Sequence, residues 1–556
     1  MLNIVTPLVS IKAISYNRVT ALLNLTKNKM ALNLNIPLLQ DNPLFLAEIR
    51  PQRINQSLGE LNETDPINIA LHLHSELEIL NRQKVSPSNR LQALDCYRPW
   101  IMSTALALAE DYCNTALPLH DKSKLAASTA ESLWLELGYG YKLALVDLQN
   151  QLIKIGTDKI SAYAIQRAMH AIAENALVYY QTYVTPPEHI WGDLHQLYFC
   201  AAQLGIQNIS IKNTNVTTNS TASQPLITTI ENTYKHSLLI SLAEPQHCSQ
   251  NDIRLIDEYL AHHINHTQIT AVMPLETETG AFIINLDSNS PPVPYNKKTA
   301  EPDPDTDILL QTMDLIHSIH QDLRQLQKQQ LPKNGSIPAD ANRDDYIELL
   351  TYLIKNWGIT PKRIFSRSLK NSDIELVVGI AAIHHVTNEN PMAVSATNKQ
   401  LLSKLNTSEP TPSRWKTLNI SATGLLLRRP HFAEKNIRVG GLIGVKAKNE
   451  PHWSIGVVRW ANCGTRERLD IGVELIAPSA QGVIANFNDL NRKELVLLLS
   501  EIPAVKQATT IIAPIGTYAP ARQLTLSYKN GTKQVMLTKL VERSHYFERM
   551  QYSVVS

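Results

Sequence analysis

Two arginines four residues apart stand out for the chemistry they could do: Arg363 and Arg367, in the run Lys362-Arg363-Ile364-Phe365-Ser366-Arg367. A guanidinium is planar and permanently charged. Its fork of donors matches phosphate oxygens and the O6/N7 edge of guanine two bonds at a time, and its flat face stacks on purines. On an extended arm an even separation turns both forks to the same side. Lys362 adds a third positive charge beside them. Further along, Asn419-Ile420-Ser421-Ala422-Thr423-Gly424 offers a complement. Asn419 and Ser421, two apart, share one face of a strand and present short donors and acceptors. Gly424 admits a tight turn or a close backbone approach.

Each motif alone has an ordinary explanation. Paired arginines ahead of a strand are usually solvated surface, and Asn-x-Ser-x-x-Gly is most often a turn. Their surroundings favour the ligand reading. Residues 340–487 carry 19 Lys/Arg against 13 Asp/Glu, a surplus of +6, so the rest of this +2 chain nets −4. A locally basic region in a near-neutral chain suits a small anionic ligand at least as well as a duplex, and nothing in the balance calls for DNA or RNA. Other candidates carry less. His262, His263 and His266 have no acidic or cysteine partner at ligand spacing, and they read as surface or packing residues, as do His384 and His385. No Gly-rich phosphate loop, nucleophile elbow or paired-carboxylate motif occurs, so no catalytic residue, metal site or cofactor is expected.

The elements that must position these residues change character along the chain. From Pro66 to about Ala202, segments such as NRLQALDCYRPWIMSTALALAEDYC and ISAYAIQRAMHAIAENALVYYQTYV repeat apolar residues at three and four, the pattern of antiparallel helices. Residues 208–232 are rich in Ser, Thr and Asn and read as a loop, after which helical pattern returns. A strand-like stretch (AVMPLETETGAFIINL) precedes the Pro- and Asp-rich segment 287–307, read as a linker, and an amphipathic helix follows it. From Ile374 the period becomes two. IELVVGIAAIH, GLLLR, GLIGVKAK, HWSIGVVRW and LDIGVELI alternate and are punctuated by Gly, as antiparallel barrel strands are. Residues 387–412 interrupt them as a long insert. LNRKELVLLLSEI reads as a short helix, and Asn530-Gly531 as the turn of a final hairpin.

The RxxxR arm (Arg363, Arg367), the [DN]xSxxG segment (Asn419, Ser421, Gly424) and the downstream strand pair VVRW…GVELI together resemble the PilZ family, over roughly 345–487. The resemblance implies a β-barrel that binds the bacterial second messenger cyclic di-GMP through Lys362, Arg363, Arg367, Asn419, Ser421 and Gly424. The 387–412 insert is longer than the family's usual link. GYKLAL and HQLYFCAA in the helical region also resemble the N-terminal part of long bacterial PilZ proteins, with no functional residue to carry over.

Length allows several domains. The expected division is a 1–65 extension, a 66–286 helical domain, a 287–307 linker, a 308–342 helix and connector, a 343–487 PilZ-like barrel, and a 488–556 helix plus β subdomain. The fold class is multidomain α+β, with an N-terminal all-α region, an antiparallel barrel and a small C-terminal β subdomain. Met30 is a candidate alternative start. No run of 18 apolar residues suggests a membrane span, and five cysteines without CxxC spacing suit the cytoplasm. Two functions compete: a second-messenger receptor relaying to an unidentified protein partner through the helices, and a ligand-free PilZ-like scaffold acting by protein–protein interaction. The paired arginines favour the receptor.

Overall fold

The computed structural model describes residues 32–150, 156–212, 227–273, 278–296, 301–358, 368–388, 410–429, 436–448, 450–464, 468–501, 508–528 and 531–555. Lys362, Arg363 and Arg367 lie outside the described residues, as do 1–31, most of the 208–232 loop and 389–409 of the insert. Contacts divide the chain into two compact units. The first comprises 1–114, 121–245 and 250–362; the second comprises 115–120, 246–249 and 363–556.

The first unit is helical, as its periodicity predicts. Its helices are α1 (Pro51–Gly59), α2 (Pro66–Arg82), α3 (Pro87–Tyr112), α4 (Asp121–Gln149), α5 (Asp158–Gln181), α6 (His189–Gln203), α7 (Ile230–Leu242) and α8 (Gln250–His263). Local chemistry starts several of them. Pro66 and Pro87 open α2 and α3, and the side chains of Asp65 and Ser86 cap the free amides of Ile67 and Asn89. A four-stranded antiparallel sheet follows, in the order β3 (Gln268–Ala271), β6 (Asp307–Gln311), β4 (Ala281–Asn285), β5 (Val293–Pro294), with α9 (Met313–Gln327) and α10 (Arg343–Gly358) after it. The two-stranded sheet of β1 (Ile211–Lys212) and β2 (Ile227–Thr228) completes the unit. The linker expected at 287–307 is corrected here. Val293 and Pro294 pair with Ile283 and Phe282 as an edge strand, where a proline's missing donor is tolerated, and Asp307 opens the central strand.

The second unit holds two closed antiparallel barrels of six strands each. The first runs β10 (Leu442–Ala447), β11 (Ser454–Asn462), β12 (Asp470–Ala477), β9 (Gly424–Arg428), β8 (Ser413–Ile420), β7 (Ser368–Val378) and back to β10. The second is β13 (Ala480–Phe487), β14 (Arg492–Leu499), β15 (Thr510–Ala513), β18 (Glu548–Val554), β17 (Gly531–Arg543) and β16 (Gln523–Tyr528). Two expectations fail where a short apolar run reads equally well as strand or helix. IELVVGIAAIH is a strand only to Val378. Gly379, at φ +84°, then turns the chain into helix α11 (Gly379–Thr387), which packs on β10, β13 and β14. The helix expected in LNRKELVLLLSEI is strand β14. Its Val496 and Leu498 fill the second barrel, while Leu497 and Leu499 join Ile383, Ile455 and Val457 in the core between the barrels.

Candidate ligand-binding site

Strands β8 and β9 form a hairpin whose tip is the Asn419–Gly424 segment. Ile420 pairs with Leu425 and Asn419 with Leu426. The Ser421 amide donates to the Gly424 carbonyl at 2.8 Å, closing a four-residue turn. The Leu475 amide donates to the Thr423 carbonyl at 2.8 Å and ties that turn to β12. Gly424 earns its place by proximity: a Cβ there would stand 3.2 Å from Ser421 Oγ and 3.3 Å from the Val473 carbonyl, tighter than ordinary contact. Ser421 Oγ lies 3.4 Å from the Gly424 carbonyl, so the hydroxyl adds little to a turn the backbone already closes. Among the described residues the Asn419 side chain makes no hydrogen bond, and both residues are half-buried.

Ser368, the residue immediately after Arg367, pairs with Ile420, between Asn419 and Ser421, and Leu369 pairs with Asn419. The division between the two units falls between Lys362 and Arg363.

Register also defines the neighbours of Asn419. Leu426 pairs with both Asn419 and Gly472, and Gly472 pairs with Trp460, so one row crosses β8, β9, β12 and β11. Leu425 and Leu427 point into the barrel core, which puts Leu426 and its row on the outer face. Gly472 makes that face possible: a Cβ there would fall 1.8 Å from Trp460 Nε1, so the indole lies against bare backbone. Two residues along, Asp470 is clamped by two arginines. Arg428 Nε and Nη2 donate to its two oxygens at 2.7 and 2.9 Å, and Arg468 Nη2 donates at 2.7 Å. Burial pushes the Asp470 carboxyl up, and the Arg428 and Arg468 bonds more than offset it, holding the group below the usual carboxylate range. Arg459 bonds Glu474 within the barrel at 2.6 Å and Glu542 of the second barrel at 2.8 Å.

The expected triad of Asn419, Ser421 and Gly424 is thus brought together. The row of Leu426, Gly472 and Trp460 and the Asp470 clamp were missed by sequence reasoning, although the Trp of VVRW and the Gly of LDIG were available as signals. The histidines of AHHINH are dispersed. His263 is buried 3.1 Å from Asp322, whereas His262 and His266 are exposed. His384 packs against the space that Gly482 leaves on β13. Among the described residues no helix is long and apolar enough to cross a membrane.

Comparison with known proteins accounts for the whole succession of elements. Residues 52–274 match the family model "Cyclic-di-GMP receptor FimW, N-terminal domain". Residues 281–400 and 386–482 match its middle PilZ domain, and 488–555 match the FimW C-terminal β-barrel domain. A curated relative, the cyclic-di-GMP receptor FimW of Pseudomonas aeruginosa, is 22% identical over 94% of this chain and 93% of its own length. With these domains matched in order and the first barrel carrying the PilZ motif segment on its hairpin, the chain belongs to the FimW family of PilZ-domain proteins.

Proposed function

We propose that this chain is a cytoplasmic receptor for cyclic di-GMP and that it acts by binding rather than by catalysis. The ligand would lie on the outer face of the first barrel, between the Lys362-Arg363…Arg367 arm and the Asn419–Gly424 hairpin. The observation that supports this reading is the register of Ser368 with Ile420, because Arg367 immediately precedes Ser368 in the chain and Ile420 lies between Asn419 and Ser421. Arg363 and Arg367 would take phosphate and guanine edges through their forks, with Lys362 as a point charge. Asn419 and Ser421 would complete the guanine or phosphate contacts, and Gly424 would keep the approach clear. Trp460, resting on Gly472, would give the face an aromatic edge against which a base can lie. The similarity to a named cyclic-di-GMP receptor supports the choice of ligand. Within the expected 343–487 span, the arm and the first barrel, 368–477, are proposed as the ligand-binding part, since α10 belongs to the first unit and β13 to the second barrel.

We further propose that binding orders the arm at the boundary between the two units and thereby biases a protein partner that engages the helical region. A messenger that favours one arrangement of the arm must have its own affinity raised, by the same factor, by a partner that prefers that arrangement. The test of binding is calorimetric titration of the full chain with cyclic di-GMP. Micromolar or tighter affinity, about −8 kcal/mol, is expected. No heat at high micromolar ligand contradicts the receptor reading and favours the scaffold.

A further inference from the structure

Four helices of the first unit, α5, α6, α7 and α8, surround a cavity of about 380 Å3, within the size range of small-molecule sites. One wall is apolar and aromatic, formed by Ile190, Trp191 and Leu194 of α6 with Ile240 of α7. The rest of the lining includes titratable groups: His170 and Glu174 from α5, His236 from α7, and Asp257 from α8. Glu258 also lines the cavity but is paired with Arg254 at 2.5 Å, and among the described lining residues there is no lysine or arginine. These groups face the open space. His170 and Glu174 keep 20% and 34% of their side-chain surface, and His236 and Asp257 keep 25% and 35%. The imidazole of His170 stands 3.6 Å from Glu174, too far for a hydrogen bond, while His236 lies 3.3 Å from Asp257.

We propose that this cavity is a binding site for a small organic amine with an apolar or aromatic body, its ammonium held by Glu174 and Asp257 and its body against Trp191. Two carboxyl groups, Glu174 and Asp257, line the space with no lysine or arginine among the described lining residues, which leaves room for one positive charge from a ligand. The behaviour of the groups agrees. Burial and the nearby Asp257 push the Glu174 carboxyl well up against the pull of Arg98, and burial pushes His170 well down. A bound ammonium would restore the charge of Glu174 and pair with it. The flat indole of Trp191 and the branched aliphatic wall set the second requirement, an uncharged body of a few connected carbons or one ring.

This site is independent of the barrel, so its test does not pass through cyclic di-GMP. Calorimetry on the full chain would compare tryptamine and phenethylamine with tryptophol, which replaces the ammonium of tryptamine by a hydroxyl, and with indole-3-propionate, which replaces it by an anion. Both amines are expected to bind, the alcohol at least about tenfold more weakly and the anion not detectably. Glu174→Gln and Asp257→Asn, which keep the shape of the wall, should each weaken tryptamine about tenfold with the melting temperature maintained. The proposal is overturned if tryptophol or indole-3-propionate binds as well as tryptamine. It is equally overturned if the isosteric variants bind tryptamine unchanged, or if neither amine binds at about 10 mM.

Discussion

The two barrels of the second unit share six antiparallel strands, closure and a filled interior, yet they use their polar side chains differently. In the second barrel polar groups hold the structure. Glu548, buried, accepts from the amides of Thr517 and Tyr518 at 2.9 and 2.7 Å, and Arg522 pairs with Asp489 at 2.8 Å. In the first barrel the Arg428–Asp470–Arg468 clamp does similar structural work, but the hairpin beside it does not. Ser421 and Asn419 sit at a turn that backbone bonds already close, and one strand further along the row Gly472 leaves room for the Trp460 indole. Closure is a property of backbone and alternation, whereas a ligand face is a place where polar groups are left without internal employment.

The sharpest way to break this comparison is at the arm. Arg367→Ala should weaken cyclic di-GMP about ten- to a hundredfold, the scale of a charge-assisted hydrogen bond, and Arg367→Lys nearly as much because the planar fork is lost. Arg522→Ala in the second barrel should leave affinity unchanged. Calorimetry on the three variants decides it, and a Lys variant with full affinity would reduce the arginine to a point charge.

Next in size is the structural clamp. Asp470→Asn should destabilise the second unit by about 2 kcal/mol, since it leaves two arginines without their anion at a largely buried site. The sign with pH follows from the depressed carboxyl. Its contribution is present above the unfolded-state value near 4 and is lost as pH falls through the lower folded value. Melting temperatures should therefore converge for the wild type and Asp470→Asn as pH drops below about 4, and a constant gap there would contradict the assignment.

Smaller effects sharpen the face itself. Gly472→Val must push the Trp460 indole off the sheet, so tryptophan emission should shift and affinity fall about fivefold, with the barrel still folded. Smallest in stability is Ser421→Ala. Its hydroxyl bond is long, so the melting transition should move by less than about 0.5 kcal/mol while affinity drops. A large loss of stability with unchanged affinity would return Ser421 to the role of a turn residue.

Much of this was legible in the sequence, for identifiable reasons. Helices α2, α8 and α9 each bury a single face, so their three-and-four spacing survives in the residues. Alternation in GLLLR and LDIGVELI marks strands with one face in the core. Legibility ended in β14, whose alternate residues serve two cores, and in α11, a short apolar helix whose Ile383 joins one of those cores. Within the site, Asn419, Ser421 and Gly424 were readable because they are close in sequence. Trp460, Gly472 and Leu426 were not, because only strand register makes them neighbours, and register is not written in any one segment.

The central claim, that the first barrel and not the second holds the messenger, is tested most directly by hydrogen exchange of the full chain with and without cyclic di-GMP. Protection is expected at 358–370 and 417–426 and in the strands bearing Trp460 and Gly472, and the relay requires that it extend into α10 at 343–358. Residues 480–555 should exchange unchanged. Protection that falls on the second barrel instead, or that is absent everywhere at saturating ligand, would contradict the account.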